Sequence, residues 1–121
     1  MSKRMVVVFD FDGVINSYRS NFVGYDNIPD PPVEGIREEI ARIRQAGYRV
    51  VIVSSRCREV EGSVAIRKWL EHWDIEYDEV TAIKPPARAY IDDRAIRFTG
   101  DPTGLLEQID ALESWTKQET P

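Results

Sequence analysis

Two aspartates one residue apart, Asp10 and Asp12, directly follow the apolar run at 6–9 and are succeeded by Gly13. Carboxylates so spaced can divide two tasks. One can attack phosphorus and form an acyl phosphate; the other can protonate a departing oxygen and later deprotonate water. A glycine after them lets the chain turn sharply. The plainer reading is a strand end with turn-forming aspartates. Three more polar groups occupy the same place relative to an apolar run. Ser54, Ser55 and Arg56 follow the run at 50–53. Hydroxyls and freed N–H groups at such a turn suit phosphate oxygens, although a serine there also caps a helix. Lys84 follows the run at 80–83 and precedes Pro85 and Pro86, which exclude helix. Its ammonium can neutralise a phosphate or a carboxylate, and equally can sit in solvent. Asp92, Asp93 and Arg94 follow the run at 89–91. Adjacent carboxylates repel unless a cation lies near. Magnesium, hard and commonly held by one or two carboxylates, suits them; the alternative is an aspartate-rich turn.

Each signal alone is modest, but together they follow one order along the chain. An acid pair, a hydroxyl pair, a lysine and a second acid pair each follow a separate predicted strand. The elements that must position them are legible. Apolar runs at 5–9, 49–53, 80–83 and 89–91 read as buried strands, with a further short one at 96–98. Between them lie helical patterns. Asp30-Pro31 reads as a cap and first turn, followed by Val33, Ile36, Ile40 and Ile43 at helical spacing and by Gly47 as a stop. Ile66, Trp69, Leu70 and Trp73 share the face of a second helix. A third starts near Asp101-Pro102 and carries Leu105, Leu106, Ile109 and Leu112. Strands apolar throughout, alternating with amphipathic helices, predict an α/β fold: a three-layer Rossmann-like sandwich with a mainly parallel central sheet. If the sheet is parallel, all four strand ends open on one edge. The stretch 16–32 reads as a long loop, able to form a flap but not a folded lid, so the fold has a minimal cap or none. Residues 116–121 read as a frayed tail.

The chain has 121 residues, enough for a single domain over 1–121 and no second core. Its 42% hydrophobic and 31% charged content describes a globular chain, not a disordered or membrane-spanning one. A formal net charge of −5 argues mildly against broad binding to nucleic acid or anionic membrane, weakly so because a carboxylate metal site is itself acidic. One cysteine, Cys57, excludes an internal disulfide and fits a reducing compartment. The apolar run after Lys3 and Arg4 is too short for a signal-peptide core, and the cytoplasm is the expected location.

Taken together, the motifs resemble the haloacid dehalogenase superfamily of phosphotransferases over residues 6–98. Phe9-Asp10-Phe11-Asp12-Gly13-Val14 resembles its first motif and is the most specific. Ile52-Val53-Ser54-Ser55-Arg56 resembles the second, Lys84 the third and Tyr90-Ile91-Asp92-Asp93-Arg94 the fourth. The resemblance implies Asp10 as nucleophile and magnesium ligand. It implies Asp12 as general acid/base, with its backbone carbonyl on the metal. It further implies Ser54 as a phosphate ligand and one or both of Asp92 and Asp93 on magnesium, with the similar stretch of small nucleotidases suggesting Asp93 as the direct ligand. Within that superfamily, an acid two residues after the nucleophile distinguishes phosphatases from dehalogenases, because a departing halide needs no proton. Two departures stand out. Lys84 and Asp92 are so close in sequence that the usual intervening helix is missing. That spacing resembles nucleotidases and the phosphatase domains of polynucleotide kinases, as does the stretch Arg67-Lys68-Trp69-Leu70. The second departure is the lack of a cap domain.

The expectation is therefore a magnesium-dependent phosphomonoesterase acting on a small phosphometabolite such as a nucleotide or sugar phosphate. A polynucleotide 3′-phosphatase is the alternative enzyme, favoured by an open site and disfavoured by the acidic balance. A phosphate-binding module that has lost catalysis is the alternative of another class. A nucleic-acid partner and an oligomer stay open; a membrane partner is not expected. Ser55 and Arg56 join Ser54 and Lys84 as substrate-binding candidates. Arg58 reads as solvated surface, and Arg94 as a substrate ligand or internal ion-pair partner. Tyr18, Arg19 and Tyr25 sit in the 16–32 loop within reach of substrate. His72 and the tryptophans read as helix residues without a catalytic part, and Cys57 has no histidine near in sequence to activate it.

Overall fold

The computed structural model describes residues 5–113 and 115. Four parallel strands form one sheet in the order β3-β2-β1-β4. They are β1 (Val6–Asp10), β2 (Arg49–Val53), β3 (Glu79–Thr81) and β4 (Ala89–Ile91), and the flanking helices are α1 (Ile36–Gln45), α2 (Val60–His72) and α3 (Leu105–Ala111). The fold is α/β and Rossmann-like, with no cap among the described residues. No described helix is long and apolar enough to cross a membrane.

Side-chain alternation explains the layering. Val7 and Phe9 of β1 pair in register with Val50 and Ile52 of β2, and Ile52 pairs with Val80 of β3. These same-face residues join Ile40 of α1 and Ile66, Trp69 and Leu70 of α2 in one buried cluster. Two successive crossovers in one direction across the sheet place both helices on that face. Val8 and Val51 are also buried but point the other way. Arg44 of α1 clamps the start of β3 through Asp78 and Glu76, while an Asp78 oxygen also accepts from the Val50 N–H.

Four elements differ from the sequence expectation. β4 pairs with β1 but is exposed along its length where its apolar run predicts a buried strand, because no described helix covers that edge. α1 begins at Ile36, after Gly35 at φ 85°, and not at Asp30-Pro31. Asp30 is unavailable as a cap because its carboxylate accepts from the Ser20 N–H and hydroxyl, and Pro32 bridges to Asn16. The third strand stops at Thr81, whose hydroxyl accepts from the Ile83 N–H and turns the chain; Ile83 itself is exposed. Residues 96–98 form no strand, and Phe98 lies exposed. The last helix does form, but it buries none of its residues: Leu106 and Ile109 face outward. The expected tail at 116–121 lies outside the described residues.

Candidate active site

The strand order reverses direction between β1 and β4, and at such a switch point a parallel sheet opens a crevice beyond its carboxyl ends. Register brings the acids there. Phe9 pairs with Ile91, so Asp10 and Asp92 follow side by side; on the other flank Asp10 pairs with Val53, so Ser54 follows. A cleft of about 310 Å³ results, lined by Asp10, Asp12, Tyr18, Ser54, Ser55, Asp92, Asp93 and Arg94.

Carboxylate oxygens of Asp10, Asp92 and Asp93 lie within 4.8 Å of one another. The chain holds them together by specific contacts. An Asp92 oxygen accepts from the Arg94 N–H at 3.0 Å, fixing the turn after β4. Gly13, at φ 85°, allows Asp93 to come so near that a Cβ on it would stand 2.4 Å from the Asp93 carboxylate. The Gly13 carbonyl in turn accepts from the Trp115 indole at 2.5 Å. Crowding has an electrostatic consequence. Burial, then the neighbouring charge of Asp92, with smaller contributions from Asp93 and Asp12, raises the Asp10 carboxyl to about 7; the Phe11 N–H opposes this. Such a cluster, three carboxylates and all oxygen, could hold a hard divalent cation, which would relieve their mutual repulsion.

Asp12 faces a different partner. Arg56 donates to it twice, Nε to Oδ2 at 2.8 Å and a terminal nitrogen to Oδ1 at 3.1 Å. The Asn16 side-chain amide adds a third bond, to Oδ1 at 2.8 Å. Among the described residues Oδ1 thus accepts two bonds and Oδ2 one. Arg56 is 3% exposed and does not line the cleft; its guanidinium holds Asp12 and the 16–32 loop where the sequence suggested substrate.

No protein-family model matches this chain, and no curated protein sequence matches it significantly.

The remaining candidates divide by position. Ser54 and Ser55 border the cleft; the hydroxyl of Ser54, a buried residue, also accepts from the Arg56 N–H at 3.2 Å and so caps the 3₁₀ turn Ser55–Arg58. The capping reading is thus observed, and the serine also lies in the cleft lining. Lys84 is exposed and outside the cleft lining, with its ammonium 4.4 Å from the centre of the Tyr90 ring. Arg94 lines the cleft, whereas Arg58 is exposed on the far end of the turn. Of the loop residues, Tyr18 reaches the cleft at φ 60°, and burial followed by the charge of Asp12 raises its phenol. Arg19 and Tyr25 do not line it. Burial raises the Cys57 thiol, which further disfavours it as a nucleophile.

Sequence reasoning missed Asn16. It is 1% exposed, donates to Asp12 and accepts from the Tyr18 N–H at 3.2 Å. The available signal was its place four residues after Asp12 at the head of a long loop. The loop itself is ordered by bonds at both ends: the Ser17 hydroxyl donates to the Pro31 carbonyl at 2.6 Å, and the Trp69 indole to the Asp30 carbonyl at 3.0 Å.

Proposed function

We propose that the protein is a magnesium-dependent phosphomonoester hydrolase of the haloacid dehalogenase type, working through an aspartyl-phosphate on Asp10. The observation that carries this reading is one cleft holding a three-carboxylate cluster, a separately held fourth carboxylate and a serine-bearing turn.

Magnesium suits Asp10, Asp92 and Asp93, and when bound it supplies positive charge beside the phosphoryl oxygens. The chain's own residues carry the steps. Ser54 and Ser55, with the N–H groups of their turn, bind phosphate oxygens. An Asp10 oxygen attacks phosphorus and the bond to the leaving oxygen breaks. Asp12 gives that oxygen its proton, so the alcohol departs neutral. Asp12, now ionised, takes a proton from water as the water oxygen attacks phosphorus. The bond between phosphorus and Asp10 breaks, which frees phosphate and restores both carboxyl groups to their starting forms. The grip of Arg56 and Asn16 keeps the Asp12 carboxylate apart from the cation cluster, so the two acids serve separate parts of the reaction, while the Asp12 backbone carbonyl remains a candidate metal ligand. Lys84 would reach the phosphate only by leaving the Tyr90 ring.

The substrate is read as a small phosphometabolite, such as a nucleotide or sugar phosphate, in the cytoplasm. A polynucleotide 3′-phosphatase is the second reading: no cap covers the cleft among the described residues, so a polymer end has access to it, and Arg94 stands at its margin. The test is hydrolysis of nitrophenyl phosphate, a phosphometabolite panel and a 3′-phosphorylated oligonucleotide, with and without magnesium. Magnesium-dependent release of phosphate that Asp10→Asn eliminates supports the reading. Its absence on every substrate, from a folded protein, rejects it in favour of a phosphate-binding module.

A further inference from the structure

Arg56 faces two ways. Nε and one terminal nitrogen fork onto Asp12, while the other terminal nitrogen donates to the Gly24 carbonyl at 2.7 Å and to the Asn27 carbonyl at 3.4 Å. The Phe22 ring centre lies 5.2 Å from the guanidinium carbon, a cation–π distance. The guanidinium is planar and its donors are fixed relative to one another, so it cannot rotate toward one set of partners without leaving the other. Burial removes water as a substitute partner. The loop at 22–27 and the Asp12 carboxylate are therefore the two ends of one rigid connection.

We propose that the 22–27 loop positions Asp12 through Arg56, so that loop geometry sets where the carboxylate sits relative to a departing oxygen. Arg56 is a positioning residue here: it acts through Asp12 and touches no substrate. The part concerning the departing oxygen rests on the proposed phosphatase function; the mechanical connection does not. Two measurements keep them apart.

The first needs no activity. Coupling is reciprocal, so loosening the Asp12 end must loosen the loop. In the metal-free protein, Asp12→Asn and Asp12→Ala should speed hydrogen–deuterium exchange at the loop amides by several-fold, while the remote exposed pair variant Arg37→Ala leaves them unchanged. Loop exchange identical to wild type in both Asp12 variants overturns the connection. The second measurement works from the loop end. Phe22 is 57% exposed, so Phe22→Ala should fold. It should lower kcat on an alkyl phosphate about tenfold, a fraction of the range of general acid catalysis, and on nitrophenyl phosphate far less. Arg56→Lys keeps the charge but loses the fork, and should show the same split more strongly. Equal losses on both esters, or none in either variant, overturn the positioning role. If the wild type hydrolyses neither ester while the exchange coupling is present, the phosphatase reading fails and the connection stands.

Discussion

At the scale of single residues, Asp10 carries the sharpest expectations. An amide cannot attack phosphorus as a carboxylate does, so Asp10→Asn should reduce phosphate release to background while the protein stays folded. The same substitution should change stability in a pH-dependent way. Without a cation, burial and then Asp92 raise the folded-state Asp10 carboxyl to about 7 from an ordinary 3.8. The folded state then binds this proton more tightly than the unfolded chain does. With respect to this group, stability is greatest below about pH 4, is lost as pH rises toward 7, and stays reduced above that. At about 1.4 kcal/mol per pH unit the ceiling is roughly 4 kcal/mol, which solvent on the open side of the cleft lowers. Metal-free Asp10→Asn should therefore melt higher than metal-free wild type at pH 8, and the difference should shrink at pH 5. Magnesium should narrow it at pH 8 by stabilising the wild type. Melting curves at both pH values, with chelator and with magnesium, check this; a wild type that melts identically with and without magnesium would remove the cation from the cluster. Gly13 offers a second test with its own control. Gly13 and Gly35 share φ 85°, but only Gly13 has Asp93 where a Cβ would go. Alanine at either position should cost about 1–2 kcal/mol through left-handed backbone. Only Gly13→Ala should also push Asp93 aside and weaken magnesium binding, by about tenfold or more, as read by calorimetric titration. Equal affinity in the two variants would show that the Gly13–Asp93 approach is irrelevant to the cation.

At the scale of elements, what the sequence discloses depends on whether position along a strand decides the outcome. β2 and β4 have the bounds their apolar runs suggested, and parallel pairing by itself delivers Asp10, Ser54, Asp92 and Asp93 to one edge. Long side chains escape that logic. Arg56 and Lys84 also follow strand ends, but the reach of each lets it select a partner elsewhere: Asp12 and the loop for one, the Tyr90 ring for the other. The start of α1 was illegible for a related reason. Asp30 and a following proline form a sound local cap signal, and a tertiary partner, Ser20, outcompetes it. The helix at the end of the chain has an amphipathic sequence, yet periodicity does not say what, if anything, the apolar face meets; here Leu106 and Ile109 are exposed. Asp30 now anchors the loop, which gives an element-scale prediction. Asp30→Ala leaves the Ser20 N–H and hydroxyl without their carboxylate acceptor and, because Ser20 is exposed and water can take its place, should destabilise the protein by about 0.5–1.5 kcal/mol. Loop amides should exchange faster than those of β1 and β2. Uniform exchange change throughout the sheet would mean that Asp30 supports the whole fold and not the loop.

At the scale of the whole molecule, the open cleft governs what the protein can distinguish. An enzyme uses contacts with remote parts of its substrate to drive the reacting centre toward the transition state. Here the described residues around the cleft are acids, serines, Tyr18 and Arg94, which suit a cation and a phosphate far better than a sugar or a base. The loop at 16–32 is tied down by Arg56, Trp69 and its own backbone, so it is not a surface free to fold over a leaving group. Each missing pocket contact forfeits discrimination worth about 1–3 kcal/mol. A lone protomer should therefore hydrolyse sugar phosphates, nucleotides and nitrophenyl phosphate with specificity constants within about tenfold of one another after correction for leaving-group basicity. Greater selectivity should require a surface that the described residues do not provide over the cleft: another protomer, a partner or the substrate's own polymer. A 3′-phosphorylated oligonucleotide is the informative polymer, because contacts to its flanking phosphates would make binding fall steeply with salt. The net charge of −5 works against such contacts, so the oligonucleotide should gain over small esters only if Arg94 and its neighbours concentrate positive charge at the cleft margin. Sedimentation mass measured together with specificity constants decides the matter. A strict monomer that turns over one small metabolite efficiently and rejects its close analogues would show that Tyr18 and the anchored loop read the leaving group unaided.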